Sequence, residues 1–266
     1  MAKRCLACDG GDLSLAMAWR DWVAACAKRP DGPGRLAAAE ACGVAAAAPD
    51  LLACADCGAI SMAPVPGDDQ LAAFYQNYHA TDDFVRKARK KTRRAIRRLL
   101  PFRLLAGAGA SFLEVGASIG VGAEAARRLG FRAVAQEIDA NAVARGGALH
   151  PRVEFICGPL DDAAARGPFD MIYCAEVIEH VPSPRSFAAQ LYALAAPGAR
   201  LFLTTPDAGH PRRPALDRWG SVKPPEHVTL FTKRALTTVF ENAGFERPRF
   251  FPYAKPGVRM VARRRT

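Results

Sequence analysis

Phe112-Leu113-Glu114-Val115-Gly116-Ala117-Ser118-Ile119-Gly120 reads as an apolar strand that ends in an acid and a glycine-rich turn. A helix predicted over 121–129 follows at once. Ligands of open α/β sheets bind at the carboxyl ends of the strands, and glycines there let the backbone approach closely. The next predicted strand, 131–138, runs into Ala135-Gln136-Glu137-Ile138-Asp139 and delivers a second acid, Glu137, 23 residues after Glu114. That interval is one βαβ step, and a carboxylate at that point suits a bidentate hydrogen bond to two ribose hydroxyls. The dinucleotide fingerprint Gly-x-Gly-x-x-Gly is not met by 116–122.

Outward from this turn, apolar runs alternate with helical ones. Strands are predicted at 111–115, 131–138, 153–157, 169–174 and 200–204, with helices at 121–129, 140–149, 185–195 and 232–243. Pro197-Gly198 punctuates the third helix; Thr232 and Gly244 bracket the last. Apolar strands separated by helices mean βαβ units and an α/β fold, a parallel sheet covered on both faces. Two further β-like runs, 246–251 and 258–263, are expected to pair antiparallel at one edge.

These residues resemble the class I S-adenosylmethionine-dependent methyltransferases, whose first motif is an acid, one residue, then Gly-x-Gly-x-Gly. Glu114, Gly116 and Gly120 match, and Ser118 replaces the middle glycine. Phe169-Asp170-Met171-Ile172-Tyr173-Cys174-Ala175-Glu176-Val177-Ile178-Glu179-His180-Val181 is similar to the family's fourth-strand motif, and Pro197–Pro206 to its fifth strand. Pro225-Glu226-His227-Val228-Thr229-Leu230-Phe231 and Ala243-Gly244-Phe245 resemble the active-site cover and last helix of one branch. The resemblance covers about 111–251 and implies a Rossmann-like seven-stranded sheet with helices on both faces. It implies S-adenosylmethionine as cofactor, held by Glu114, Gly116, Ala117, Ser118, Gly120, Glu137, Ile138, Leu160, Asp161, Ala175 and Glu176. Pro159 stands where the family often places an adenine-binding Asp, so Asp161 or main chain is expected to take that contact.

Methyl transfer to a hydroxyl needs in-line alignment, exclusion of water and removal of a proton. His180, at the end of the fourth strand, and His227, in the loop after the fifth, are the candidate general bases. The structural alternatives are that His180 caps its strand and His227 packs against Trp219; Glu179 is a weaker candidate base. Cys157 and Cys174 lie within strands and read as small core residues.

Two CxxC pairs, Cys5/Cys8 and Cys54/Cys57, predict a closed tetrahedral Cys₄ site for structural Zn²⁺. The 45 residues between the pairs exceed the usual ribbon spacing. Closing that longer loop costs only about 1 kcal/mol more than a short one, against roughly 10–16 kcal/mol for zinc binding. Cys26 or Cys42 replacing a ligand is the alternative. The span between the pairs is Ala-rich, with two short helices expected around the break Pro30–Gly34. Pro64-Val65-Pro66-Gly67 reads as a linker, and 69–79 as a short helix carrying Phe74, Tyr75 and Tyr78. Cys54-x-x-Cys57-Gly58 with these aromatics resembles the N-terminal module of a methyltransferase branch associated with sugar and natural-product tailoring. The expected organisation is a zinc module over 1–66, linking helices over 67–104 and the S-adenosylmethionine-binding domain over 105–266.

The formal net charge is +11. Residues 84–103 hold ten Lys or Arg and no acid, and without them the chain carries about +1. The pattern predicts a helix capped by Asp82 and Asp83, with Val85, Ala88, Thr92, Ala95, Ile96 and Leu99 on one face and Pro101 at its end. Its basic face is either solvated or holds a phosphorylated acceptor, an anionic membrane surface or RNA; aromatics of an RNA-stacking platform are not evident. No apolar run has the length of a membrane span and the N-terminus lacks a signal-peptide core, which gives a cytoplasmic expectation. The function implied is methylation of a small-molecule or glycan-like acceptor, on oxygen. The alternatives are an RNA methyltransferase, since one ribosomal RNA guanine methyltransferase family also carries an N-terminal zinc finger, and a binding module without catalysis.

Overall fold

The computed structural model describes residues 4–76, 82–107, 109–253 and 255–266. The N-terminal part comprises β1 (Leu13–Met17), α1 (Trp19–Ala27), α2 (Gly32–Ala41), α3 (Val44–Ala47), β2 (Asp50–Cys54) and β3 (Ile60–Ala63). α4 (Asp68–Gln76) and α5 (Asp82–Leu105) lead to β4 (Ser111–Val115), α6 (Val121–Arg128), β5 (Arg132–Glu137), α7 (Ala140–Leu149) and β6 (Glu154–Cys157). β7 (Phe169–Ala175), α8 (Pro184–Leu194), β8 (Ala195–Pro206), β9 (Thr229–Leu230), α9 (Lys233–Asn242), β10 (Arg249–Phe250) and β11 (Gly257–Arg263) complete the chain.

Seven strands form one sheet in the order β10-β11-β8-β7-β4-β5-β6. The five from β8 to β6 are mutually parallel, and β11 runs antiparallel to both β8 and β10. Alternation along the strands feeds two cores. Leu113, Val115, Ile172, Cys174, Leu201 and Leu203 meet Leu191, Leu236 and Phe240 of α8 and α9. Phe112, Met171, Tyr173 and Phe202 meet Ala95, Leu99, Ala123 and Ala126 of α5 and α6. The fold is thus the expected Rossmann-like seven-stranded sheet with helices on both faces.

The basic helix differs from expectation at both ends. It starts at Asp82, so Asp82 and Asp83 lie within it, and it runs through Pro101 to Leu105. The last turn survives a missing proline N–H because it is held from outside. Phe102 meets Phe202 edge-on at 5.9 Å, and the Arg103 guanidinium donates to the carbonyls of Leu129 and Ala106. Ala88, Thr92, Ala95 and Leu99 are the buried face, and Arg98 donates to the Tyr173 hydroxyl at 3.0 Å. Phe74 is buried, while Tyr78 lies outside the described residues.

The N-terminal part holds more than the two helices expected. β1, β2 and β3 form an antiparallel sheet whose fourth strand is β9, from far along the chain. A boundary at residue 66 is therefore crossed by a ladder that pairs Ile60 with Leu230 and Ser61 with Thr229. Pro197-Gly198 is not a free turn but a bulge inside β8, where the register with β7 shifts and Gly198 takes φ 76°. Cys174 is buried as expected; Cys157, the last residue of the edge strand β6, is exposed.

Glu124 sits buried on α6 with its carboxylate bound by Arg127 and Arg128 at 2.6–3.1 Å. Hydrogen bonds from Arg127 above all, then Arg128, hold it down to about 2 against the upward push of burial. A folded value below the unfolded one contributes stability that is present above about pH 4.3 and lost as pH falls through the folded value. Glu124→Gln is expected to lower the melting temperature at pH 7. The gap to the parent protein should narrow steadily below about pH 4.3. Thermal melts across pH 7 to 3 check this, and a gap that stays constant would show that the ionised pairs stabilise nothing.

Candidate active site

The sheet order reverses at β4, which is flanked by β5 on one side and β7 on the other. Crevices at such switch points bind ligands. The turn after β4 places Gly116, Ser118 and Gly120 in left-handed conformations, φ 60°, 50° and 73°. A Cβ on Gly116 would stand 2.6 Å from the Val177 side chain, and one on Gly120 2.5 Å from Phe155. Ser118 is the one non-glycine position in that set. Its amide donates to Glu137 Oε2 at 2.7 Å, while Glu137 Oε1 accepts from the amides of Ile138 and Asp139. The expected ribose-binding carboxylate therefore lies against the glycine turn, at the lip of the crevice, with the Ile138 side chain 65% exposed beside it.

Glu114, expected among the cofactor-binding residues, meets the helix that follows the turn. It is buried, and its two oxygens accept the amides of Gly122 and Ala123 at 2.9 and 2.7 Å, which caps the first turn of α6. Burial pushes its carboxyl up to about 8, opposed by those two amides. Gln136, absent from the sequence expectations, links two crevice loops: its Oε1 accepts from the Gly116 amide and its Nε2 donates to the Gly158 carbonyl. Its only sequence signal was a polar residue inside an otherwise apolar strand.

Leu160 is buried at the start of a short 3₁₀ helix, while the Asp161 carboxylate accepts two contacts from Gln190 Nε2 of α8 at 3.0 and 3.1 Å. Asp161 is thus drawn toward α8. Ala117 is buried behind the turn, and Ala175 ends β7. Glu176 takes φ 58° and accepts a hydrogen bond from Thr204 at 2.8 Å, which turns the chain out of the sheet.

His180 and His227 come together, their rings edge to face at 4.7 Å. Val228 N donates to the Glu179 carbonyl at 2.7 Å, which brings the 221–231 segment onto the end of β7. His227 Nδ1 is 2.8 Å from the Ser221 carbonyl, so it carries the proton there and Nε2 keeps its lone pair. Burial pushes His180 down to about 4 and His227 well below its usual range. Burial likewise pushes Glu179 far up. At neutral pH both imidazoles are uncharged.

The four expected cysteines converge. Cys5 and Cys57 Sγ are 3.6 Å apart, as are Cys8 and Cys54, and all four sulfurs lie within 4.8 Å of one another. Tetrahedral Zn–S bonds of about 2.3 Å put sulfurs about 3.8 Å apart, so the donor set and spacing fit. Cys26 and Cys42 lie elsewhere, in a second core with Trp22 and Met62. Thr232 ties this knuckle to the catalytic layer: its hydroxyl donates to the Cys57 carbonyl at 2.6 Å and accepts from the Ala235 amide at the start of α9.

Comparisons with known proteins agree with this geometry. A family profile described as a methyltransferase domain matches residues 84–247. A ubiquinone biosynthesis O-methyltransferase of Xanthomonas euvesicatoria pv. vesicatoria is 34% identical over 105 residues, 37% of this chain and 44% of that protein. The chain thus spans less than half the length of the curated relatives it matches. Among solved structures, a 1,6-didemethyltoxoflavin-N1-methyltransferase of Burkholderia thailandensis with bound S-adenosylhomocysteine aligns with TM-score 0.54 at 18% identity. That alignment covers 82% of this chain and 96% of that one. The magnesium protoporphyrin IX methyltransferase of Synechocystis PCC 6803 aligns with TM-score 0.53 at 16% identity, over 68% and 87%. At these identities the two structures share the fold.

Gly120 and Gly109 separate backbone strain from crowding, because both have φ near +72° but only Gly120 has a neighbour where a Cβ would go. Gly109→Ala is expected to cost about 1 kcal/mol from conformation alone. Gly120→Ala should cost about 2–3 kcal/mol and weaken S-adenosylhomocysteine binding as the turn shifts. Urea unfolding and calorimetric titration check this; equal losses would mean that contact with Phe155 does not constrain the turn.

Proposed function

The chain belongs to the methyltransferase-domain family, and from that premise we propose that it transfers a methyl group from S-adenosylmethionine to an oxygen of a small-molecule or glycan-like acceptor. The observation that carries this reading is the neighbourhood of two features. The Glu137 carboxylate lies 2.7 Å from the amide of Ser118 in the glycine turn, and the His180–His227 pair sits at the end of β7, the strand beside β4. Oxygen is favoured because the curated relatives are named as O-methyltransferases. Bound S-adenosylmethionine supplies a methyl carbon already activated by its sulfonium.

The chain's own residues do the rest. Glu137 would accept the two ribose hydroxyls in place of backbone amides, the turn 116–120 would line the cofactor, and Leu160, Asp161, Ile138, Ala175 and Glu176 would hold its adenine and methionine parts. Fixing the acceptor oxygen in line with the methyl converts much of the barrier into binding. His227 Nε2, or His180 beside it, accepts the hydroxyl proton. The segment 221–231 covers the site and excludes water. Residues 1–66 form the metal-bearing module, 67–104 the linking helices and 105–266 the transfer domain, with a structural Zn²⁺ on Cys5, Cys8, Cys54 and Cys57. The RNA reading keeps one supporting observation: a cavity of about 510 Å³ beside α5 is lined by Arg89, Arg93, Arg127, Arg128 and Arg152.

Purified protein, methyl-labelled S-adenosylmethionine and host extract, split into RNase-treated and untreated halves, test the reading. Label in a small or lipid-extractable fraction indifferent to RNase is the expected result; label in a macromolecule that RNase destroys would replace it with RNA methylation. Glu137→Ala should weaken S-adenosylhomocysteine binding at least tenfold, since each lost hydrogen bond to a charged group is worth about 1.5–3 kcal/mol. For the metal module, one zinc per chain is expected by elemental analysis. Cys54→Ser with Cys57→Ser should abolish it and lower the melting temperature on the order of 10 °C. A double variant that melts like the parent would remove the structural role.

A further inference from the structure

Glu179 is completely buried. Its Oε2 accepts a hydrogen bond from Thr205 at 2.9 Å, but among the described residues its Oε1 has no hydrogen-bond donor. An unsatisfied buried acceptor costs about 1–3 kcal/mol, more when it is charged, and such atoms in native folds mark an ion, a water or a catalytic role. Two imidazoles stand near this carboxylate. His180 Nε2 is 3.9 Å from its Oε1, and one ligand atom from each of Glu179, His180 and His227 lies within 4.8 Å of the other two.

Both rings are also held by main-chain groups. His227 Nδ1–H donates to Ser221 at 2.8 Å, and the Glu226 backbone hydrogen-bonds to His180. A histidine that donates one ring N–H to a carbonyl and keeps its other nitrogen toward a shared centre has the arrangement found around bound metals. Zinc bonds of about 2.0–2.1 Å put neighbouring N and O ligands about 3.4 Å apart. The His180–Glu179 gap exceeds that by roughly half an ångström, within reach of a small side-chain rotation. Thr204 and Thr205 on β8 hold Glu176 and Glu179, and Val228 N holds the Glu179 carbonyl, so the carboxylate side of the set is fixed.

We propose that Glu179, His180 and His227 form a second metal site, for a divalent first-row cation such as Zn²⁺, Mn²⁺ or Co²⁺, with open positions toward the acceptor. Two imidazoles and one carboxylate suit these ions better than Mg²⁺, which prefers oxygen and water. The catalytic role of the site rests on the methyl-transfer reading above; its occupancy does not. In that role the cation polarises the acceptor hydroxyl and lowers its pKa. The hydroxyl proton then leaves to water in place of either imidazole, whose ring nitrogens are bound to the cation, and the oxygen lone pair makes the new C–O bond. The S–C pair stays on sulfur as a neutral thioether, with one proton released per turnover.

The zinc-loaded full-length protein is titrated with Mn²⁺, and binding is read from loss of the free-ion electron paramagnetic resonance signal. One site per chain is expected, with broadening of the His180 and His227 imidazole resonances in the nuclear magnetic resonance spectrum. Glu179→Gln and His180→Gln should each weaken it at least tenfold, while zinc content stays at one per chain and S-adenosylhomocysteine binding persists. No Mn²⁺, Co²⁺ or second Zn²⁺ bound up to millimolar concentration overturns the site, as does binding that leaves both imidazoles sharp. Loss of S-adenosylhomocysteine binding in the parent protein would instead sink the methyl-transfer reading and leave the metal result standing. The imidazole broadening is read on the parent protein, so a variant that fails to fold does not remove the test.

Discussion

Val228 is bonded on both sides: its amide donates to the Glu179 carbonyl at 2.7 Å, and its carbonyl accepts the Met62 amide at 2.9 Å. One residue thereby joins the end of β7 to β3 of the N-terminal sheet, and the Ser61–Thr229 and Ile60–Leu230 pairs extend the join. His227 and Glu179 are neighbours in space because of this bond. Each backbone bond is worth only about 1 kcal/mol net, but this one is buried, and leaving its groups unpaired would cost more than forming it gains. The cover of the site therefore ends in a strand of a sheet, β9, which anchors it.

The N-terminal helices grip the same cover from the other flank. The Arg29 guanidinium donates to the carbonyls of Val222, Asp217 and Trp219, and Trp22 Nε1 reaches the Val222 carbonyl at 3.4 Å. Arg35 pairs with the nearly buried Glu226 at 2.7 Å. A buried carboxylate needs such a partner, since a lone charge there would be strongly destabilising. The cysteine knuckle adds the Thr232–Cys57 bond and an Arg185–Asp9 pair at 3.3 Å. Cys5, Cys54 and Cys57 share one core with Phe231 and Leu236. A metal there would thus fix the frame of the site as well as the knuckle.

What the sequence made legible follows from how its elements are stabilised. The parallel strands are buried on both faces and so read as apolar runs, and the helices between them carry their own caps, such as Asp139 on α7 and Thr232 on α9. The glycine turn was readable because left-handed backbone leaves a residue-type record. The strands β1, β2 and β3 were not, since short segments with helix-favouring residues, such as Leu51, Leu52 and Ala53 of Asp50–Cys54, become strands only by pairing, with β9 supplying an edge from 168 residues beyond Ser61. Pro101 signalled a stop that contacts of Phe102 and Arg103 override. Glu114 and Asp161 are acids at expected places whose oxygens are taken by neighbours, α6 amides and Gln190, that spacing alone does not reveal.

On the proposed reading, the two halves of the site differ in origin. The cofactor side, from Glu114 to Glu176, is built within consecutive βαβ units, so its geometry follows from the sheet itself and belongs to the region shared with the family. The acceptor side is assembled from β7, the 221–231 segment and an N-terminal module that lies outside that region. A common methyl donor needs one geometry, whereas acceptors differ in size and polarity, and discrimination among them is a difference of contacts on the acceptor side. The residues that brace that side act on the cover itself, Trp22 and Arg29 through the carbonyls of Asp217, Trp219 and Val222, and Arg35 through the Glu226 carboxylate. Variation in α1 and α2 can therefore reshape the acceptor mouth while the cofactor crevice keeps its geometry.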